Sequence, residues 1–358
     1  MAEPRPDFSA WSCPLPATRQ DRVLLGHGSG GTLSHELLHR VFLPAFRNPI
    51  LEALEDQARV ALPAAECSLP ALAITTDAFV VRPIFFPGGD IGSLAVYGTV
   101  NDLAVGGAEP LFLAASFILE EGLPMADLER VAASMRDACA AAGVTLVAGD
   151  TKVVDRGSCD RLFITTTGVG WLPLGRTLSL AAAQPGDALV ISGTLGDHGI
   201  AILSVREGLE FDTVLESDAA PLTDLVRTML AACPAIRGMR DPTRGGLSST
   251  LHELATAARV GVELEETAIP VRREVRAACE MLGLDPLYVA NEGKLLAVVP
   301  PDDADRLVAV MRQHPRGRDA AVIGNVVSAH PGLVILRTRL GGERVVSMLA
   351  GEQLPRIC

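Results

Sequence analysis

Residues 87–110 read PGGDIGSLAVYGTVNDLAVGGAEP. Pro87-Gly88-Gly89 is turn chemistry, and Ile91 to Val105 is a mostly apolar, helix-like run that carries one polar pair, Asn101-Asp102. Strand-like runs flank it. Leu72 to Thr76 ends at Asp77, Val80 to Phe86 precedes the turn, and Leu111 to Leu119 follows as a buried strand. The alternation continues with a helix over Met125–Ala142, a strand over Val144–Ala148 ending at Gly149-Asp150, and a β-rich run at Arg161–Val169. Upstream, Val23 to Leu25 reads as a short strand before the loop His27-Gly28-Ser29-Gly30-Gly31. A helix then carries Leu33, Leu37, Leu38, Val41 and Phe42 on one side.

After a linker at Leu174–Gln184 the pattern restarts. Strands are expected at Ala188–Ser192, Gly261–Leu264, Leu295–Val299 and Val322–Val326. Helices are expected at Asp197–Arg206, Leu222–Ala232, Leu247–Arg259, Arg272–Leu282 and Asp303–Gln313, with a closing hairpin over Gly341-Gly342. Interleaved strands and helices make both halves α/β or α+β. The expected divisions are a Pro-rich arm over 1–20, an N-terminal domain over 21–172, a C-terminal α/β domain over 173–340 and a tail over 341–358.

The 358 residues carry a net charge of −12 and are 48% hydrophobic, which excludes disorder of the whole chain. The acidic balance, with only 4% aromatic residues, argues against a nucleic-acid or anionic-membrane surface. The longest strongly apolar run, Leu111 to Leu119, is too short to span a bilayer. Glu3, Asp7 and the prolines at 4, 6, 14 and 16 leave no room for a signal peptide, so the expected compartment is the cytoplasm. The cysteines at 13, 67, 139, 159, 233, 279 and 358 form no CxxC pair, so neither a zinc site nor a disulfide framework is indicated.

Four aspartates end elements or sit beside glycine: Asp77, Asp102, Asp150 and Asp241. Converging carboxylates would hold Mg²⁺, a hard cation that also bridges phosphates; singly, each is equally a helix cap or an Asx-turn. The loop with His27, Gly28, Gly30 and Gly31 and the helix opening at Arg244-Gly245-Gly246 can each present backbone N–H groups to an anion. Thr151 and Lys152 follow Asp150, and Asn291-Glu292-Gly293-Lys294 is a second polar cluster before a strand. Cys358 ends the chain, two residues after Arg356, whose charge would favour a thiolate on a flexible tether.

HGSGG, TTDAFVV, the 87–110 stretch, AGDTKVV, SGTLGDHGIAI, RDPTRGGL, NEGK and the terminal PRIC occur in that order from about residue 22 to 358. Together they resemble the HypE family of hydrogenase expression/formation proteins. Most of them are also similar to the wider ATP-binding superfamily of aminoimidazole ribonucleotide synthetase and selenophosphate synthetase. The resemblance implies a pair of α/β domains whose N-terminal sheets pair in a homodimer. ATP and Mg²⁺ would bind in the interdomain cleft. A carbamoyltransferase, HypF, would load a carbamoyl group on the Cys358 sulfur, ATP would drive its dehydration to S–C≡N, and the cyano group would pass to a HypC–HypD complex. Asp77, Asp102, Asp241 and Asp150 would then serve metal, and Glu292 the amide proton. Lys152, Asn101, Thr151, Asn291, His27 and the glycine-rich turns would serve nucleotide or carboxamide. Two other readings stay open from the residues: a small-molecule kinase of the same superfamily that makes no use of the tail, and a non-enzymatic scaffold.

Overall fold

A computed structural model describes residues 24–28, 30–46, 48–60, 71–208, 215–349 and 356–358. The described chain starts with a 3-10 turn at Leu25–Gly28 where a strand was expected; Val23 lies outside the described residues. A helical rod follows, made of α1 (Thr32–Leu37), a π turn at Leu38–Phe42 and α2 (Leu43–Phe46). Its Val41, Phe42 and Phe46 side chains remain exposed.

The N-terminal unit is one five-stranded sheet with two helices on a single face. Its strands are β1 (Ala58–Val60), β2 (Ala71–Phe79), β5 (Glu109–Glu120), β6 (Thr145–Val154) and β7 (Leu162–Leu172), with β3 (Phe85–Phe86) and β4 (Gly89–Asp90) forming a separate ribbon. The order is β1-β2-β7-β5-β6. β5 and β6 are parallel because α4 (Met125–Ala142) crosses between them; the other pairs are antiparallel. The second helix, α3 (Ile91–Val105), starts at a capping box in which Asp90 accepts from the backbone of Gly92 and Ser93. Its apolar residues are not confined to one stripe. A helix of that kind must be covered on all sides. It packs on β2, β7 and α4 and contributes Ala104 and Val105 to the core of the other half.

Several strands differ from expectation for one reason: pairing, rather than local sequence, sets their ends. β2 runs through Asp77 to Phe79, in register with β7 from Ala71↔Leu172 to Phe79↔Ile164. β6 runs on through Gly149-Asp150 to Val154, paired with β5. β5 is only half-buried, because the sheet face away from α3 and α4 is open; Phe112 and Ile118 are exposed there. Val80–Phe86 is not one strand. Pro83 interrupts it, and the N–H groups of Val80 and Arg82 bond the carbonyls of Cys358 and Arg356 instead.

The C-terminal unit is a seven-stranded sheet made of β8 (Ala188–Ile191), β9 (Gly238–Arg240), β10 (Gly261–Glu265), β11 (Leu296–Val299), β12 (Ala321–Val327), β13 (Val334–Arg337) and β14 (Glu343–Val346), in the order β14-β13-β10-β12-β8-β11-β9. The helices are α5 (Asp197–Glu207), α6 (Thr223–Ala232), α7 (Gly246–Ala258), α8 (Arg273–Leu282) and α9 (Pro301–Gln313). α7 packs with Leu247, Leu251 and Leu254 in one core on the sheet, and α6 and α9 pack in a second that also holds Ala104 and Val105 of α3. The hairpin expected over Gly341-Gly342 is present: Glu343–Val346 pairs with Arg337–Val334, which makes these residues part of the sheet although the expected tail division starts at 341. No helix among the described residues is long and apolar enough to cross a membrane.

Candidate functional site

A small cleft opens where the two units meet, lined by Asp77, Asp102, Asp241, Arg244, Glu292 and Cys358 among others. Asp77 comes from β2 on its helix-facing side, and Asp102 from the last turn of α3. Asp241 and Arg244 come from the loop between β9 and α7, and Glu292 from the segment before β11. Threonines aim the two N-terminal carboxylates. Thr75 Oγ1 donates to Asp102 Oδ2 at 2.8 Å, and Thr99 Oγ1 donates to Asp77 Oδ2 at 3.1 Å. At Gly98, a methyl would lie 2.9 Å from Phe79 Cζ and 3.9 Å from Glu292 Oε2, so glycine lets α3 approach the cleft.

The cleft is short of positive charge. Asp56, Asp102 and Asp241 offer carboxylate oxygens that all lie within 4.8 Å of one another. Burial pushes the Asp102 and Asp56 carboxyls well above the usual range. Burial, with the Asp77 charge behind it, pushes Asp241 up to about 7. Arg240 offsets part of this, with ion pairs to Asp56 at 2.8 Å and to Glu253 at 3.1 Å. Three hard oxygen donors that repel one another in a buried place fit Mg²⁺, which would remove the repulsion by binding between them. Asp56 went unnoticed in the sequence, since LEDQARV has neither glycine nor a turn to mark it.

Glu292 is buried and its Oε1 has no hydrogen-bond partner among the described residues. Burial raises its carboxyl well above the ordinary value, and Asp241, Asp218 and Asp77 raise it further. Such a group takes up a proton more readily than an ordinary carboxylate, which suits it to exchanging one. Behind it, Lys294 Nζ meets Asp218 Oδ2 at 3.0 Å, and Asp218 Oδ1 accepts from the Glu292 backbone N at 3.1 Å, so the lysine of NEGK fixes the loop.

Cys358 is docked in the cleft, half-buried. The carbonyls of Arg356, Ile357 and Cys358 are each bonded, and Ile357 is buried in the N-terminal core. The expected thiolate is not favoured here. Burial pushes the Cys358 thiol up to about 12, with Arg244 opposing and Glu292 and Asp77 adding to the rise. Arg356 turns away, pairing with Asp160 and lying over the Phe163 ring at 5.6 Å.

Other expected site residues sit elsewhere or are already engaged. Asn101 and Asn291 are fully buried and bond protein. Asn101 Nδ2 donates to the carbonyls of Ala220 at 3.0 Å and Glu292 at 3.1 Å, and its Oδ1 accepts from Leu222 N at 2.8 Å. Asn291 Oδ1 accepts from Gly196 N at 2.8 Å while its amide donates to Pro242 and Val289 carbonyls. Asp150, Thr151 and Lys152 lie on the exposed edge strand β6, apart from the cleft, with Lys152 Nζ 2.7 Å from Asp150 Oδ2. His27 makes a local contact, accepting at Nδ1 from Leu24 N at 2.9 Å. Gly28 stands in the same turn. Gly30 does border the site: it adopts φ +73°, and a methyl there would lie 2.6 Å from the Arg244 carbonyl. Gly31 packs on Leu349; Gly245, at φ +76°, leaves room for the Ser249 hydroxyl of α7 itself, and Gly246, at φ +59°, lets α7 begin tight against the Leu287 carbonyl.

Residues 56–172 match the family model "AIR synthase related protein, N-terminal domain", and residues 184–336 match the corresponding C-terminal domain. The chain is 56% identical over 340 residues to a carbamoyl dehydratase HypE of Cupriavidus necator, covering 95% of this chain and 96% of that protein. It is 47% identical over 338 residues to the Escherichia coli carbamoyl dehydratase HypE, covering 94% of this chain and all of that protein (100%). Among solved structures, the HypE–HypF complex superposes with a TM-score of 0.82 at 47% identity over 87% of this chain and 99% of that one. The hydrogenase maturation protein HypE in complex with ATP superposes at 0.78 and 51% over 94% and 100%. A thiamine-monophosphate kinase complex, 21% identical with a TM-score of 0.65, shares the fold. The chain is a member of the HypE family of carbamoyl dehydratases, built on the two AIR synthase-related domains.

Proposed function

We propose that this enzyme carries a carbamoyl group on the Cys358 sulfur and, with ATP and Mg²⁺, dehydrates it to S–C≡N for the cyanide ligands of a NiFe-hydrogenase. The observation that carries the reading is the docking of the terminal sulfur in the acidic interdomain cleft, beside Glu292, Asp77 and Arg244. A relative has been solved with ATP. The carboxamide oxygen attacks the γ-phosphorus, ADP leaves, and the oxygen departs as phosphate while both N–H protons are lost. Net, R–S–C(=O)NH₂ and ATP give R–S–C≡N, ADP and phosphate. Mg²⁺, held by Asp56, Asp102 and Asp241 with Asp77 beside them, supplies charge neutralisation for the phosphoryl group. Arg244 faces the sulfur and the negative charge that develops near it. Glu292 accepts an amide proton: its free Oε1 is the unsatisfied acceptor a carboxamide N–H needs.

The docked thiol, at about 12, is a poor nucleophile, so the cleft suits the neutral carbamoyl thioester rather than the loading step. Loading by a HypF-type carbamoyltransferase therefore takes place with the terminus released, and HypC–HypD receives the cyano group. The open face of the N-terminal sheet, with Phe112, Ile118, Val147 and Trp171 exposed, is the surface through which two copies pair. The test is peptide mapping after carbamoyl loading and then ATP. The Cys358 peptide gains one carboxamide and then loses one water. Modification at Cys139 or another cysteine, or water loss without ATP, defeats the reading.

A further inference from the structure

We propose that helix α5 is a clamp that seats the reactive terminus, with His198 and Arg206 as its positioning residues; this rests on the function proposed above. His198, Ile202 and Arg206 are four residues apart and therefore form one stripe along α5. Each member meets the last three residues. His198 Nε2 bonds the Ile357 carbonyl at 2.8 Å, Ile202 shares the core that buries Ile357, and Arg206 Nη2 donates to the Arg356 carbonyl at 2.7 Å and the Arg82 carbonyl at 2.6 Å.

A carbonyl only accepts, so Nε2 carries the proton, and Nδ1 accepts from the Ser217 hydroxyl at 2.8 Å. Ser217 Oγ in turn accepts from Ala219 N at 3.1 Å, and Ser217 N donates to Pro87 O at 2.9 Å, so the relay is fixed to backbone at its far end. The Phe86 ring meets the imidazole edge-on with centroids 5.7 Å apart, which leaves it one orientation. His198 is fully buried. A histidine serving the core alone would find its second partner in the body of the domain. This one spends Nε2 on the one segment that has to leave when the sulfur is loaded. The clamp therefore acts on one half of the cycle: it holds the carbamoylated sulfur at Glu292 and takes no part while the terminus is outside.

Three variants test this in the full chain: His198→Leu, His198→Gln, whose amide N–H stands where Nε2–H was, and Arg206→Met, which keeps the side-chain stem. Carbamoyl loading by the partner transferase and ATP-driven water loss are followed separately by intact mass, together with alkylation of Cys358 by iodoacetamide. His198→Leu should load at the wild-type rate or faster, lose water about tenfold more slowly, and expose Cys358 to alkylation about tenfold more. That is the factor for one net hydrogen bond of about 1.4 kcal/mol. His198→Gln should recover most of the loss, and Arg206→Met should show the same split more weakly. Unchanged alkylation and water loss in both His198→Leu and Arg206→Met overturns the clamp, as does an equal fall in loading and water loss. If His198→Leu does not fold, the same readouts on the half-exposed Arg206→Met decide between these outcomes. If the wild type does not lose water with ATP, the proposed function fails while the alkylation arm still decides the clamp.

Discussion

Glu292→Gln separates chemistry from folding. The replacement has the same shape, and the backbone contacts of the loop survive it: residue 292 still donates its N–H to Asp218 and still receives Asn101 at its carbonyl. What changes is the proton acceptor, worth about 10²–10⁴-fold in rate for a general base. The carboxyl is raised well above its ordinary value by burial and by three neighbouring acids, so its ionised form is costly in the fold. Its favourable contribution is present below the unfolded pKa and lost as pH rises through the raised folded one. Glutamine never ionises. The variant should therefore melt higher than wild type at about pH 8, with the gap closing toward about pH 4, while ATP-driven water loss from the carbamoylated chain falls about 10²–10⁴-fold. Melting curves across pH and single-turnover mass spectrometry read the two halves. Water loss at the wild-type rate places the base elsewhere, and an unchanged melting gap across pH shows that the Glu292 carboxyl is not raised by its surroundings.

Asp102→Asn should lose Mg-ATP binding and keep its fold, since it removes one of three converging oxygens and keeps the bond from Thr75; a wild-type titration by calorimetry would contradict this. Asp241→Asn should make the metal-free protein more stable than wild type above about 7, the value to which Asp241 is raised, and equally stable near the unfolded value, while reducing the stabilisation that Mg²⁺ gives. Melting with and without Mg²⁺ checks it, and a gap that does not change with pH refutes it. If two copies pair through the open sheet face as proposed, Val147→Glu, which places a charge on that face, should shift sedimentation toward monomer while each subunit stays folded; a dimer unchanged by the substitution, or a monomeric wild type, contradicts that interface.

Where local chemistry suffices, the sequence already carries the answer. Ile91–Val105 and Met125–Ala142 are helices with those bounds, because a cap, a glycine stop and a continuous apolar run are all local features. Strand ends are not local. Asp77 and Asp150 were expected at strand ends, yet both lie mid-strand, since β7 and β5 offer partners beyond them. Strand ends and neighbouring glycines pointed to Asp77, Asp102, Asp150 and Asp241; the fold brings the first two and Asp241 together and leaves Asp150 on the exposed strand β6. Asp56, without that context, is found only once the segment before β1 is seen against Arg240. Asn101 and Asn291 look like ligand groups in sequence. Instead Asn101 fastens α3 to loops of the C-terminal unit and Asn291 ties loops within that unit, a use that depends on which carbonyls the tertiary fold delivers. The sequence marks the terminus as mobile without giving its resting position; Ile357 is apolar enough to anchor it, and only the core around Phe86 and Ile202 reveals the socket.

If ATP removes the carboxamide oxygen of a group held on Cys358, that oxygen must leave on phosphate. The chain is loaded with a carbamoyl group whose oxygen carries a heavy isotope, ATP is added, and the inorganic phosphate released is analysed by mass. One labelled oxygen per phosphate is expected, with thiocyanate formed on Cys358. Unlabelled phosphate alongside thiocyanate, with the label in water, would contradict the proposed dehydration.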